Sequence, residues 1–304
     1  MKQVKQVGIG LLIVVAAMVV IALLGIDSRM TVVEYLETTD RWAEGSEIRI
    51  AVVADYHAEP YGSEFSDAIA SLKPDLVVIP GDIVHRKLPI ENAYALSREL
   101  GAKYPTYFVT GNHDVRSPHY RELLQVMRDA GVVVLEGEWR DVEVEEGDIL
   151  RIVGIDDPLA EREEQLDEVF AAIRESSGAG SNVEGSARSG AATEGVFTLL
   201  LAHRPERVSS YALHPIDMAL VGHAHGGQWR IPGLLNGLIA PHQGLFPKYA
   251  GGPYDIVRAD GGNLKLIVSR GLARTTTWVP RIYNRPELLL VRIQGVNEAA
   301  NKKR

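Results

Sequence analysis

Three strand-like apolar runs in the first half of the chain each stop at a polar motif. Ile48–Ala54 ends at Asp55-Tyr56-His57, Leu76–Pro80 at Gly81-Asp82, and Thr106–Thr110 at Gly111-Asn112-His113-Asp114. Helical patterns over Ser63–Leu72, Ile90–Leu100 and Pro118–Ala130 follow these runs, with Pro74 and Gly131 as stop signals. Strand–loop–helix alternation of this kind predicts βαβ units, a parallel sheet and an α/β fold. Open α/β sheets collect ligands beyond the carboxyl ends of their strands. The three motifs are therefore expected to meet at one sheet edge.

The second half has a different rhythm. Val132–Leu135, Trp139–Val144 and Ile149–Ile155 read as strands joined by turns, and Glu161–Glu175 as a charged helix. Phe197–Ala202, Met218–Val221, Leu264–Ser269 and Leu288–Ile293 read as further strands. The first two of these end in Ala202-His203-Arg204 and in Gly222-His223-Ala224-His225. Hairpin-like spacing predicts a second sheet packed on the first, within one domain over residues 48–294. Ser176 to Gly195 is built of small residues and cannot contribute to a core, so 176–195 is expected to be a mobile surface insertion. Residues 295–304 make a polar C-terminal tail.

Ahead of this domain, Val7 to Ile26 carries no charge. As a helix it would be roughly 30 Å long, the thickness of a bilayer core. It is longer than a signal-peptide apolar region, and no small-residue cleavage site follows it. The expectation is a cytoplasmic tail and single-pass transmembrane helix over 1–27 and a juxtamembrane stalk over 28–47. Lys2 and Lys5 nearly balance Arg29 and Arg41, and a very short tail with two lysines favours a cytoplasmic N-terminus. The domain is then expected at the cell membrane on its outer side. A net charge of −8 leaves no electrostatic footprint for nucleic acid. The absence of cysteine excludes disulfides, thiolate zinc sites and cysteine nucleophiles.

The five motifs concentrate carboxylate, amide and imidazole donors. Any one of these histidines alone reads as structural; the ordered set does not. Two divalent ions about 3.5–4 Å apart can clamp a phosphate and activate a bridging water. Such a pair needs one carboxylate that reaches both ions, and Asp82 is the candidate. Asp55, His57 and His225 can complete one ion, and Asn112, His203 and His223 the other. An extended backbone is expected to point Asp55 and His57, and likewise His223 and His225, the same way. Mixed N and O donors suit manganese, iron or zinc better than magnesium alone, with manganese favoured. His113 is placed to protonate a leaving oxygen, with Asp114 holding its tautomer. Arg116 and Arg204 flank the motifs and could bind phosphate oxygens, although ion pairs explain them as well. His242 could line the entrance. Trp229, Leu234, Leu235 and Phe246 could rim it for an acyl chain or could equally be core.

Taken in order, DYH, GD, GNHD, AHRPE and GHAHGGQ resemble the calcineurin-like metallophosphoesterase superfamily, over about Ile48 to Gln294. The resemblance implies a four-layer αββα sandwich and a dinuclear metal centre with the ligand sets named above. AHRPE, GHAHGGQWRIPG, YAGGPY and SRGL, with the N-terminal apolar run, are similar to bacterial membrane-associated phosphodiesterases of the YkuE/YaeI type. That narrower likeness implies a lipid-linked or envelope substrate such as UDP-2,3-diacylglucosamine. The expected function is phosphodiester or pyrophosphate hydrolysis by a hydroxide bridging two ions. A phosphomonoesterase and a catalytically inactive scaffold are the alternatives. The pattern is broken once: the second motif usually continues Gly-Asp-x-x-Asp, and here His85 stands at the last position. His85 either takes over that carboxylate's supporting role or faces solvent.

Overall fold

The alternating runs form two six-stranded sheets in a computed structural model that describes residues 23–85, 89–160, 164–178, 195–231, 233–274 and 279–297, together with Ala16 and Val20. The strands are β1 (Thr31–Thr39), β2 (Glu47–Val52), β3 (Leu76–Pro80), β4 (Thr106–Val109), β5 (Val133–Val134), β6 (Glu138–Glu143) and β7 (Ile149–Gly154). They continue with β8 (Val196–Leu201), β9 (Met218–Val221), β10 (Ile239–Ala240), β11 (Gly244–Leu245), β12 (Gly252–Val257), β13 (Asn263–Val268) and β14 (Glu287–Gly295). The helices are α1 (Ser63–Leu72), α2 (Glu91–Lys103), α3 (Asn112–Val115), α4 (Tyr120–Asp129), α5 (Gln165–Gly178) and α6 (Val208–Tyr211).

The first sheet runs β1-β14-β2-β3-β4-β5 and the second β12-β13-β9-β8-β7-β6, while β10 and β11 pair separately. Strands β2, β3, β4 and β5 are mutually parallel, as are β7, β8, β9 and β13. Strand alternation sorts the core into three apolar layers. Ile50, Val52 and Val78 face Leu150, Leu199 and Leu220 between the sheets. Ala51, Val53, Val77 and Ile79 point the other way, into helices α1, α2 and α4. Val153, Leu200 and Val221 point outward from the second sheet onto α5 and α6. The result is helix, sheet, sheet, helix.

Helix α1 shows why a local pattern suffices here. Phe65, Ile69 and Leu72 recur at helical spacing and are buried. The helix stops because Lys73 takes a left-handed conformation, φ 48°, ahead of Pro74.

One expectation needs correction. Residues 28–47 are not a stalk outside the domain: β1 pairs in parallel with β14 along its whole length. Val33 and Tyr35 pack on the inter-sheet core, and Trp42 is buried in it. Arg292 of β14 clasps Glu47 of β2 at 2.6 and 2.9 Å and Glu34 of β1 at 3.0 Å, which fixes the order of the three strands. The strand escaped notice because Val32 and Leu36 on its outward face are exposed, which blurs the alternation. Strand β12 was also unread, since Gly252 and Pro253 at its start are turn residues elsewhere; as an edge strand it tolerates both.

The run Val7–Ile26, the insertion 176–195 and the tail 295–304 fall largely outside the described residues. Among the described residues no helix is long and apolar enough to cross a membrane.

Candidate metal centre

The carboxyl ends of β2, β3 and β4 in one sheet and of β8 and β9 in the other lead directly into the five motifs. Extended geometry does not bring the side chains together, contrary to expectation. Asp55, His57, Asp82, His223 and His225 all take left-handed backbone conformations, with φ between 47° and 69°. Non-glycine residues rarely adopt this region, and each costs of order 1–3 kcal/mol unless its surroundings enforce it. The enforcement is visible in loop-to-loop hydrogen bonds: Asp55 N–H donates to the Gly81 carbonyl at 3.2 Å and His57 N–H to the Asp82 carbonyl at 3.1 Å. Glycine provides the room. A Cβ on Gly222 would lie 2.6 Å from Asp55 Oδ2, and one on Gly81 2.7 Å from His203 Nδ1.

Among the described residues, two wholly buried donor groups result. Asp55, His57 and His225 form one and Asp82, His203 and His223 the other, the donor atoms in each within 4.8 Å of one another and all six residues buried. Asp82 joins them: its Oδ2 lies 3.5 Å from His57 Nε2 and 3.3 Å from His203 Nε2. Its Oδ1 accepts the His113 N–H at 2.7 Å, which fixes the carboxylate plane. His203 Nδ1 lies 2.9 Å from the Pro80 carbonyl. A carbonyl only accepts, so Nδ1 carries a proton, and Nε2 is the nitrogen turned toward the cluster. His203 Nε2 is 3.1 Å from His223 Nδ1. Asp55 accepts the His223 N–H at 3.0 Å, which ties the first motif to the last. Asn112 is buried at the start of α3.

The electrostatics of the buried carboxylates and imidazoles suit a cation. Burial opposes ionisation of Asp82, but the flanking His203 and His57 rings outweigh it and hold the carboxyl well below its usual range. Burial likewise disfavours a charged His203, yet Asp82 and Asp55 hold that ring up near 10. Burial keeps His223 and His225 far below the ordinary imidazole range, so both are neutral and able to donate a lone pair. His57 Nδ1 and Nε2, Asp82 Oδ2, Asn112 Oδ1 and His225 Nδ1 are buried without a hydrogen-bond partner among the described residues. Buried polar atoms are nearly always paired. Orphaned buried donor atoms on four loops, with one nitrogen of His57 counted, fit divalent ions with mixed N and O ligands.

The other expected site residues separate. The His113 ring lies 4.6 Å from that of His57 and 4.7 Å from that of His85, centroid to centroid, so both border the first group. His85 thus turns toward the site. Asp114 was expected to orient His113. Instead its buried carboxylate accepts backbone N–H groups from Asp82 at 2.7 Å, Gly111 at 2.8 Å and Val84 at 3.1 Å. It locks the second motif to the third. Burial, with Asp82 close by, pushes it up to about 7. Arg204 is buried and forked onto Asp157, at 2.6 and 3.0 Å, so its guanidinium is committed to the scaffold rather than to a substrate. Arg116 is exposed at the end of α3. His242 does border the centre, with Nδ1 2.9 Å from His223 Nε2.

Two residues were missed. Glu206, in the turn after β8, lies 3.9 Å from His223 Nε2 and 3.7 Å from His242 Nδ1. Its place three residues after His203 was the available signal. Arg281 is fully buried, and burial, the main cause, pulls it down to about 10 while the charge of Asp55 opposes the shift. Nothing local marks it, because only the tertiary fold sets it near Asp55.

Comparison with known proteins agrees with this geometry. A sequence profile described as "Calcineurin-like phosphoesterase" matches residues 48–227. The chain is 24% identical to the metallophosphoesterase YkuE of Bacillus subtilis over 277 residues, covering 86% of this chain and 87% of that protein. It is 29% identical to the phosphodiesterase YaeI of Escherichia coli over 195 residues, covering 60% of this chain and 63% of that one. A zebrafish (Danio rerio) protein named "Transmembrane protein with metallophosphoesterase domain" is 30% identical over 193 residues, 60% of this chain and 41% of its own length.

Proposed function

The chain belongs to the calcineurin-like phosphoesterase family, and from that premise we propose that it hydrolyses phosphodiester or pyrophosphate bonds with the help of two divalent ions. One observation carries the reading. Asp82 Oδ2 is buried, has no hydrogen-bond partner among the described residues, and lies between His57 Nε2 and His203 Nε2. In this reading Asp55, His57 and His225 would hold one ion and Asn112, His203 and His223 the other, with the Asp82 carboxylate available to both sets. Manganese suits this donor set, with iron or zinc as substitutes. When bound, such a pair supplies Lewis acidity toward phosphoryl oxygens and a water of lowered pKa.

The chain's own residues do the rest. The Asp114 carboxylate and the Asp82–His113 contact hold the donor loops rigid, so little reorganisation accompanies the reaction. His113 gives the leaving oxygen its proton. Burial pulls its ring down to about 3 in the free site, so it is neutral there and must take up a proton as substrate binds, a gain that the anionic phosphate favours and nearby cations oppose. His242 and His85 border the centre from two other sides and can orient phosphoryl oxygens.

We assign the apolar run Val7–Ile26 to a single membrane span, with the domain outside the cytoplasm and a lipid-linked or envelope phosphoester, of the class of UDP-2,3-diacylglucosamine, as substrate. The relatives named as a transmembrane protein and as a phosphodiesterase support this direction.

The test is metal content and turnover on the full chain with Mn²⁺. His113→Ala is expected to keep its metal and lose about 10²–10⁴-fold in rate. Asp82→Ala is expected to lose metal as well. Bis-p-nitrophenyl phosphate should be cleaved faster than p-nitrophenyl phosphate. A strong preference for the monoester, or full metal occupancy in Asp82→Ala, would refute the corresponding part of the reading.

A further inference from the structure

Exposed large apolar side chains are normal when scattered singly and informative when gathered. Here most fall in two stretches. One is the end of the N-terminal apolar run, where Leu23, Leu24 and Ile26 are exposed. The other is the loop after the last histidine motif, where Trp229, Ile231, Leu234, Leu245 and Phe246 are exposed, Leu234 at 83% and Phe246 at 68%. Phe246 also takes a left-handed backbone conformation, φ 56°, which a bulky residue rarely adopts.

The two stretches are joined. Tyr283 N–H donates to the Gly25 carbonyl at 2.7 Å, and a Cβ on Gly25 would lie 2.6 Å from the Tyr283 ring. Trp229 Nε1–H donates to the Pro280 carbonyl at 3.1 Å, and Trp229 bridges to Ile282. A polar collar follows the apolar run: Arg29 pairs with Asp27 at 2.8 Å and Arg285 with the same carboxylate at 3.4 Å. Exposed Lys248 stands just beyond Phe246. Aromatic and basic residues beside an apolar stretch make the pattern of a membrane interface.

We propose that residues 229–231 and 233–246 form a rim that dips into the bilayer surface beside the Val7–Ile26 span, with the lipid bilayer itself as the occupant of this apolar face. The length of the run and its end against Tyr283 choose a bilayer over a soluble partner. The same loop reaches the metal centre. The β10–β11 hairpin sets Ile239 opposite Leu245, and its turn carries His242, in contact with His223. The site therefore opens at headgroup depth and takes phosphoesters that stay embedded in the membrane. The proposal deepens the reading of Val7–Ile26 as a span, and its test reads no catalysis.

The chain has no cysteine, so single cysteines can be introduced freely. Leu234→Cys and Phe246→Cys carry a nitroxide label in the full chain, reconstituted in nanodiscs of phosphatidylethanolamine and phosphatidylglycerol. Leu213→Cys and Val257→Cys, at exposed positions on other elements, are the aqueous references. Leu12→Cys reports the span. Collision with oxygen and with a water-soluble nickel chelate is measured by electron paramagnetic resonance. Labels at 234 and 246 are expected to meet oxygen and be shielded from nickel, while those at 213 and 257 meet nickel. Nickel access at 234 and 246 equal to that at 213 and 257 overturns the proposal, whatever Leu12 reports. Shielding from both reagents, as in an interface with a protein or a second copy, overturns it too. A Leu12 label in water overturns the span alone.

Discussion

The pair Arg204–Asp157 separates a scaffold role from a substrate role for the arginine beside His203. The guanidinium forks onto the carboxylate with Nε–Oδ2 2.6 Å and Nη2–Oδ1 3.0 Å, and the two side chains are 9% and 0% exposed. Arg204→Met removes both bonds and leaves Asp157 in the interior with the Leu159 N–H, at 3.0 Å, as the remaining donor to its side chain among the described residues. Breaking a buried pair from one side costs about 3–5 kcal/mol, because the surviving charge stays desolvated. At about 2–4 °C per kcal/mol for a domain of this size, the melting temperature should fall by roughly 6–20 °C. Asp157→Leu alone should cost a similar amount. The double variant should recover much of the loss, since an apolar pair of similar volume can replace a buried ion pair. The assay is thermal unfolding by circular dichroism on all four proteins, with initial rates on bis-p-nitrophenyl phosphate below the lowest melting temperature. An unchanged melting temperature in Arg204→Met, together with a loss of about 10²-fold in turnover, the size expected for a missing phosphate clamp, would refute the scaffold assignment.

Two further outcomes follow from single contacts. Gly111 has φ −110°, open to any residue, yet a Cβ there would collide with Asp82 Oδ1. The same Cβ would lie 2.5 Å from the Asp82 backbone nitrogen, so Gly111→Ala should displace the Asp82 loop and bind metal poorly, as read by metal content after dialysis; wild-type metal content would show that this loop can give way. The His214 ring stacks on Phe170 at 4.8 Å, and burial, against the pull of Asp167, lowers its pKa below the ordinary 6.5. The folded state then binds fewer protons than the unfolded one. The stability this contributes is fully present above pH 6.5 and lost as pH falls from there toward the depressed value. The gap in melting temperature between the wild type and His214→Phe should accordingly shift as pH falls from 7 to 5, and a gap independent of pH would contradict the shift.

Local order was legible wherever one face of an element decides its fate. Helix α1 and strand β3 occupy the spans their patterns predict, because apolar periodicity and a terminal Pro or Gly are properties of adjacent residues. Strands β1 and β12 were not, since each lies at a sheet edge where half the alternation is lost to solvent. The same division runs through the candidate site. Asp55, His57, Asp82, Asn112, His113, His203, His223 and His225 were expected from order and residue type to meet, and the fold gathers the carboxylates and imidazoles among them. The means of their convergence was misread: left-handed turns held by cross-loop hydrogen bonds, not extended alternation, aim them at one point.

Residue type and spacing determine which atoms are available, and so the family and the donor set are written in the chain itself. Partner choice is not. Arg204 and Asp114 look, by position, like residues for substrate and for His113. The fold sets Asp157 beside one and three backbone N–H groups beside the other, and burial makes those bonds obligatory. Arg281 near Asp55, Glu206 near His223, and the joining of Gly25 to Tyr283 are likewise decisions of the tertiary structure. Each depends on a contact between segments far apart in sequence, and no local pattern records which distant segment will arrive.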